Sequence, residues 1–231
     1  MVNETVETGE KVKGISLRVL VVLIITAIFL CVLFFLANEI VLENETSFDN
    51  AVFHFIDRFR SPGITSVLIF FTFFGSINFL LPAYLALSLY YIFFKKNNIR
   101  SFNIAAIGLS SGLLLHLIKN IFQRHRPPHP LIANVSGFSF PSGHSFSSFT
   151  FVGMLIYMLW QSKAGRGLKI AGTAFLFVLA ATIAFSRVYL QVHYASDVLA
   201  GFCLSFVWLT LCIYVLERIN RKGKLTSNPV V

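Results

Sequence analysis

Apolar positions in this chain run on without a break for the length of a bilayer crossing, and polar residues are confined to the gaps between such runs. A helix needs about 20 apolar residues to cross the hydrocarbon. Five segments meet that length: 15–37, 101–121, 143–160, 168–185 and 194–216. A sixth, 62–94, is too long for one upright span and contains Gly75, Asn78 and Pro82, residues that break or kink a helix. Two conformations fit it: a hairpin of two short spans, or a short interfacial helix leading into one span that ends near Lys95. The stretch AVFHFIDRF at 51–59 is amphipathic and predicts a helix lying along the membrane surface, with His54 a bystander.

Loop charges choose between the two conformations. With a cytoplasmic N-terminus bearing Lys11, Lys13 and Arg18, a single crossing at 62–94 places several basic groups on that same side. They are Lys95, Lys96 and Arg100, then Lys163, Arg166 and Lys169, then Arg218, Arg221, Lys222 and Lys224. The other side holds Glu39, Glu43, Glu45, Asp49 and Asp57, offset by Arg58, Arg60 and one basic cluster at 119–126. A hairpin would scatter the basic loops across both faces, against the positive-inside tendency. The expectation is an all-α bundle of six membrane spans with an extracytoplasmic interfacial helix and both termini cytoplasmic. Residues 1–14 form a short cytoplasmic N-terminal segment, 15–216 the membrane domain and 217–231 a basic cytoplasmic tail that reads as disordered after Arg221.

Composition agrees. Of 231 residues 56% are hydrophobic, 26 are Phe and only 13% are charged, with a mean hydropathy of +0.75; a soluble domain carries about a quarter charged residues. The net charge of +9 is absorbed by the cytoplasmic loops and requires no nucleic acid. The first apolar run outlasts a signal-peptide core and lacks a small-residue cleavage site before Asn38, so it reads as a retained span. Cys31, Cys203 and Cys212 lie inside apolar runs and are expected to pack in the core. GLSSG at 108–112 has the spacing of close helix packing, and His116 fits a packing or hydrogen-bonding position.

Chemistry is concentrated in three polar stretches on the extracytoplasmic side. In KNIFQRHRPP (119–128), Lys119 and Arg126 are two helical turns apart and share one face if the helix runs to Arg126. Taken alone they are equally a pair of cations anchoring a helix end. In FSFPSGHSFSSF (138–149), Pro141 and Ser142 have the form of a helix entry, with Ser142 as cap and Gly143 leaving room for an anion at the first backbone N–H groups. Taken alone this is also an ordinary cap beside a chance His144. In SRVYLQVHYASD (186–197), His193 and Asp197 stand at i and i+4, so the carboxylate can accept from one ring nitrogen and leave the other as a nucleophile or base. A structural His–Asp pair has the same spacing. Together, Lys119, Arg126 and Arg187 converge with two His and one carboxylate. Three cations near a helix N-terminus repel one another unless an oxyanion binds among them, and Arg forks match phosphate oxygens. His125 and His129 are separated by Pro127 and Pro128 and cannot share a helical face, so no metal site is expected.

These stretches match K-x6-R-P, PSGH and S-R-x5-H-x3-D in order, and on them the chain resembles the type 2 phosphatidic acid phosphatase superfamily, over roughly residues 15–216. It is most similar to the bacterial phosphatidylglycerophosphatase B branch. The resemblance implies a metal-independent, cofactor-free membrane phosphatase acting on a lipid phosphate in the bilayer. His193 is then the nucleophile that forms a phosphohistidine, Asp197 fixes its tautomer, and His144 protonates the leaving lipid oxygen and later activates water. Lys119, Arg126, Arg187, Ser142 and Gly143 hold the phosphate oxygens. Phosphatidylglycerophosphate is the expected substrate, with undecaprenyl pyrophosphate, phosphatidic acid and diacylglycerol pyrophosphate as alternatives. A lipid or anion carrier without chemistry is the reading from a different class, and it has no need of His193 beside Asp197. No obligate protein partner is expected.

Overall fold

A computed structural model describes residues 17–38, 46–133 and 135–226. Among the described residues there are eight helices: α1 (Leu17–Phe35), α2 (Ser47–Asp57), α3 (Pro62–Phe73), α4 (Ile77–Phe93), α5 (Asn98–Phe122), α6 (Gly143–Gln161), α7 (Arg166–Tyr189) and α8 (Ala195–Thr226). The N-terminal Lys11 and Lys13 and the acidic Glu39, Glu43 and Glu45 lie outside the described residues.

The 62–94 segment is two helices. Ser61 caps α3 by accepting from the Ile64 N–H at 3.3 Å, with Pro62 at the first helical position. The helix stops at Phe74, and Ser76 opens α4. Between them Gly75 lies so close to Ile183, and 3.1 Å in Cβ terms from the His144 ring, that a side chain there would force one of them aside. α3 packs against α7 and α4 against α5, so the chain does not fold back as a hairpin. The segment is two consecutive helices, and taken together Pro62–Phe93 is one apolar stretch long enough to cross a bilayer, so α3 belongs to the bundle rather than to a separate surface helix.

Among the described residues, five helical segments are long and apolar enough to cross a bilayer: Val19–Asn38, Pro62–Phe93, Asn98–Phe122, Arg166–Tyr189 and Ala195–Arg221. The span predicted at 143–160 is α6, whose first turns carry His144, Ser145, Ser147, Ser148 and Thr150 and are less apolar. It is instead enclosed by its two most extensive neighbours, α7 and α8. α1 closes the other side of α8, where Phe29 meets Phe202 and Phe206. The outward faces of α1, α4, α5 and α7 expose large apolar side chains, as a lipid-facing bundle must.

Helix direction gives the bundle two different ends. At one, Arg100 donates to Gln161 at 3.1 Å, and Tyr157 at the end of α6 donates to Glu217 of α8, so the basic turns near 95–100, 161–169 and 217–221 gather there. At the other, the end of α5, the start of α6, the end of α7 and the start of α8 meet. Two expectations change here. The tail is not disordered from Arg221, because α8 continues as helix to Thr226. Cys31 is exposed on α1 rather than packed in the core, while Cys203 is buried.

Candidate active site

The site is held together by backbone ties between sequence-distant elements. α7 ends in a tight turn in which the N–H groups of Val192 and His193 both donate to the Arg187 carbonyl, at 3.1 and 3.2 Å, with Gln191 in the left-handed region (φ 51°). This turn sets His193 over Arg187. Asp197, in the first turn of α8, accepts from the Tyr194 N–H at 2.9 Å through Oδ2, an acidic group where a helix start favours one. The Asp197 carbonyl in turn accepts from the Ser142 N–H at 3.0 Å, joining the starts of α6 and α8. Gly201 permits that approach: a Cβ there would stand 2.8 Å from the Ser142 carbonyl oxygen.

His193 is 2% exposed. Its Nε2 lies 3.0 Å from an Arg126 Nη1, and a guanidinium can only donate, so Nε2 carries the lone pair and Nδ1 the proton. Nδ1 faces the Ser139 Oγ at 3.3 Å and the Asp197 Oδ2 at 3.6 Å, and the Ser139 hydroxyl donates to that same Oδ2 at 2.5 Å. The carboxylate therefore acts on the imidazole largely through a serine hydroxyl placed between them. Burial pushes His193 down to about 3, against the opposing pull of Asp197 and with help from Arg126 and Lys119. The ring is neutral with its nucleophilic lone pair directed away from the carboxylate.

Lys119, Arg126, Arg187, Gly143, His144 and His193 line one cavity of about 640 Å³. The expectation that Lys119 and Arg126 share a helical face is corrected. α5 ends at Phe122, where Gln123 turns left-handed (φ 46°), and Arg126 enters from an extended loop. Its fork is fixed by the carbonyls of Gly137 (2.9 Å), Ser136 (3.0 Å) and Val192 (2.8 Å); burial lowers its pKa and Asp197 partly offsets this. Lys119 donates to the Phe138 carbonyl. Arg187, 5% exposed, donates to the Thr72 hydroxyl at 2.7 Å, while its Nε has no partner among the described residues. A buried guanidinium nitrogen without a partner beside two further cations and a helix N-terminus is an arrangement suited to an oxyanion. Ser142 is placed differently from the other phosphate-binding candidates: fully buried, it accepts from the Ser145 N–H as the α6 cap and does not line the cavity. Neither His125 nor His129 lines it, and His116 is bonded to Asn120.

Below the polar floor the cavity continues along Leu80, Leu81 and Leu85 of α4 and Gly108 and Gly112 of α5. The two glycines do not work as a close-packing pair. Gly108 faces the Tyr84 ring, whereas a Cβ on Gly112 would meet nothing within 4 Å. The site thus has a cationic end suited to an oxyanion and an apolar side. Residues 100–221 match the PAP2 superfamily, and that match contains every side chain of the charged end.

The chain belongs to the PAP2 superfamily. It is 30% identical over 180 residues to phosphatidylglycerophosphatase B of Bacillus subtilis, covering 76% of this chain and 86% of that one. It is 28% identical over 145 residues to dolichyldiphosphatase 1 of Dictyostelium discoideum, covering 60% and 63%. The crystal structure of a transmembrane PAP2-type phosphatidylglycerolphosphate phosphatase from Bacillus subtilis superposes with a TM-score of 0.76 at 27% identity, covering 84% of this chain and 96% of that one. This protein is accordingly a membrane phosphatase of the PAP2 superfamily.

Four site residues escaped sequence reasoning: Asp49, Thr72, Arg124 and Ser139. Asp49 sits in an acidic stretch that reads as outer-loop charge, and Thr72 in an apolar run. Arg124 stands at an unspecified position inside K-x6-R-P and Ser139 two residues before PSGH, and the one available signal was a second Arg two residues before Arg126.

Proposed function

We propose that this PAP2 phosphatase hydrolyses phosphatidylglycerophosphate to phosphatidylglycerol and inorganic phosphate at the extracytoplasmic face. The observation that carries the reading is the single cavity in which a neutral, tautomer-fixed His193 shares space with His144, three cations and an apolar wall. Phosphate oxygens take the donors of Lys119, Arg126 and Arg187 and the N–H groups at Gly143, with Ser142 holding that helix start in place. His193 Nε2 attacks phosphorus as Arg126 moves from the ring nitrogen to a phosphate oxygen. The phosphorus–oxygen bond to the lipid breaks, and His144 gives that oxygen its proton. His144 then takes a proton from a water that attacks the phosphohistidine, releasing phosphate and restoring His193. The positive groups act where negative charge accumulates. The lipid chains stay in the bilayer beside α4 and α5.

The likeness to a dolichyldiphosphatase favours a second reading, a polyprenyl pyrophosphate such as the undecaprenyl form, which offers the same terminal phosphate on a longer chain. The extracytoplasmic placement follows from six crossings, α6 included, with the basic turns inside. Purified protein in detergent, given the four candidate lipids with and without a chelator, tests substrate and metal independence together. The expectation is fastest release from phosphatidylglycerophosphate, unchanged by chelation. Faster turnover of the prenyl pyrophosphate selects the second reading, and loss of activity with chelator contradicts the metal-free mechanism. Turnover of substrate added outside sealed right-side-out vesicles is expected; turnover only after permeabilisation contradicts the sidedness.

A further inference from the structure

The interfacial helix α2 reaches into the catalytic centre through one residue. Asp49 is 0% exposed. Its Oδ1 accepts from the Ser196 N–H at 2.9 Å, and its Oδ2 accepts from the Ser196 hydroxyl at 2.6 Å and from an Arg124 Nη2 at 2.9 Å. The other fork of Arg124 donates to Asp197 Oδ1 at 2.6 Å and to the Ser196 Oγ at 2.8 Å. The Arg124 guanidinium also lies 4.0 Å over the Tyr194 ring, and its carbonyl accepts from the Ser139 N–H at 2.8 Å. One arginine thus touches both carboxylates and positions the serine between Asp197 and His193.

Charge balance gives this arrangement a purpose beyond packing. Arg124 alone on Asp197 would make a neutral pair, leaving little negative charge to stabilise the imidazole as it becomes cationic on attack. A second buried carboxylate on the same guanidinium restores a net charge of −1 to the cluster. It also holds the fork so that Asp197 Oδ2 stays free for Ser139 and the Tyr194 N–H. The burial of both carboxylates makes each of these charges count, since little solvent screens them.

We infer that Asp49 and Arg124 are positioning residues of the phosphoryl-transfer step, with Asp49 keeping Asp197 electrostatically available to His193. This rests on the proposal that His193 is the nucleophile. It assigns a catalytic use to the surface helix.

The test is single-turnover kinetics on folded protein, with folding monitored by size-exclusion and thermal melting. Asp49→Asn is expected to slow phosphoryl transfer about 10- to 100-fold, as loss of an outer carboxylate typically does, with KM within about threefold. Asp49→Asn combined with Arg124→Gln removes both charges, leaves Asp197 as the sole anion, and is expected to recover rate relative to Asp49→Asn alone. A purely structural role predicts the reverse, because the double variant loses more bonds. Wild-type rate in folded Asp49→Asn, or a folded double variant slower than the single, overturns the inference. Should Asp49→Asn not stay folded, the double variant decides alone: a rate below about one hundredth of wild type in folded protein overturns it. His193→Ala runs in parallel; if it turns over, the underlying mechanism has failed, whereas an inactive His193→Ala with a normal Asp49→Asn sinks only this inference.

Discussion

At the scale of single residues the site is organised around the proton on one imidazole. Arg126 cannot accept a hydrogen bond, so its contact with Nε2 at 3.0 Å and the Ser139 hydroxyl opposite Nδ1 select one tautomer from two sides. Burial then keeps the ring neutral, with a pKa near 3 in place of the ordinary 6.5. Between those two values the unfolded chain binds a proton on this residue that the folded chain does not. Folded stability therefore falls as pH drops through that window and is indifferent to this group above 6.5. Thermal melting in detergent is expected to fall more steeply between about pH 6 and 4 for the wild type than for His193→Asn; equal slopes would contradict a buried neutral imidazole. His193, Asp197, His144 and the three cations were legible because the chemistry needs those residue types in recognisable spacings. Ser139, Asp49 and Arg124 were not, because their significance lies in contacts across 58, 147 and 73 positions of chain, and no local pattern encodes these.

At the scale of elements, helix termini carry the function. Lengths and apolarity located most helices from the sequence, since a bilayer crossing imposes both. Where helices end was less visible: α5 stops short of Arg126, α8 continues to Thr226, and 62–94 divides at Gly75. These boundaries depend on tertiary fit. The left-handed Gln123 and the crowding around Gly75 and Gly201 are properties of neighbours, not of the local sequence. Gly201 illustrates the cost of changing such a fit. Its missing side chain lets α8 lie against the Ser142 carbonyl and the Phe146 N–H. Gly201→Leu is expected to destabilise the fold by about 1–3 kcal/mol through overpacking. By shifting the start of α6 it is also expected to cut kcat about 10²-fold. Melting temperature and kcat measured on the same preparation check this, and an unchanged kcat would mean that the α6 start tolerates displacement.

At the scale of the whole molecule, the bundle gathers its buried cations and histidines at one end of a cavity whose remaining wall is apolar. The basic turns gather at the opposite end, and the PAP2 match from 100 to 221 contains the clustered cations and histidines. Residues before it supply the rest: α4 walls the apolar side of the cavity, Thr72 holds Arg187, and α2 brings Asp49 to Arg124 beside Asp197. Composition revealed the membrane class, but not that the least apolar of the predicted spans, α6, would be the most enclosed. The central claim is that phosphate passes through His193. Rapid quenching of the enzyme with a lipid substrate carrying labelled phosphate, followed by peptide mapping, tests it most directly. A base-stable, acid-labile label on the peptide bearing His193, absent from His193→Ala, is the predicted result; turnover with no label on the chain, or label on another residue, would contradict it.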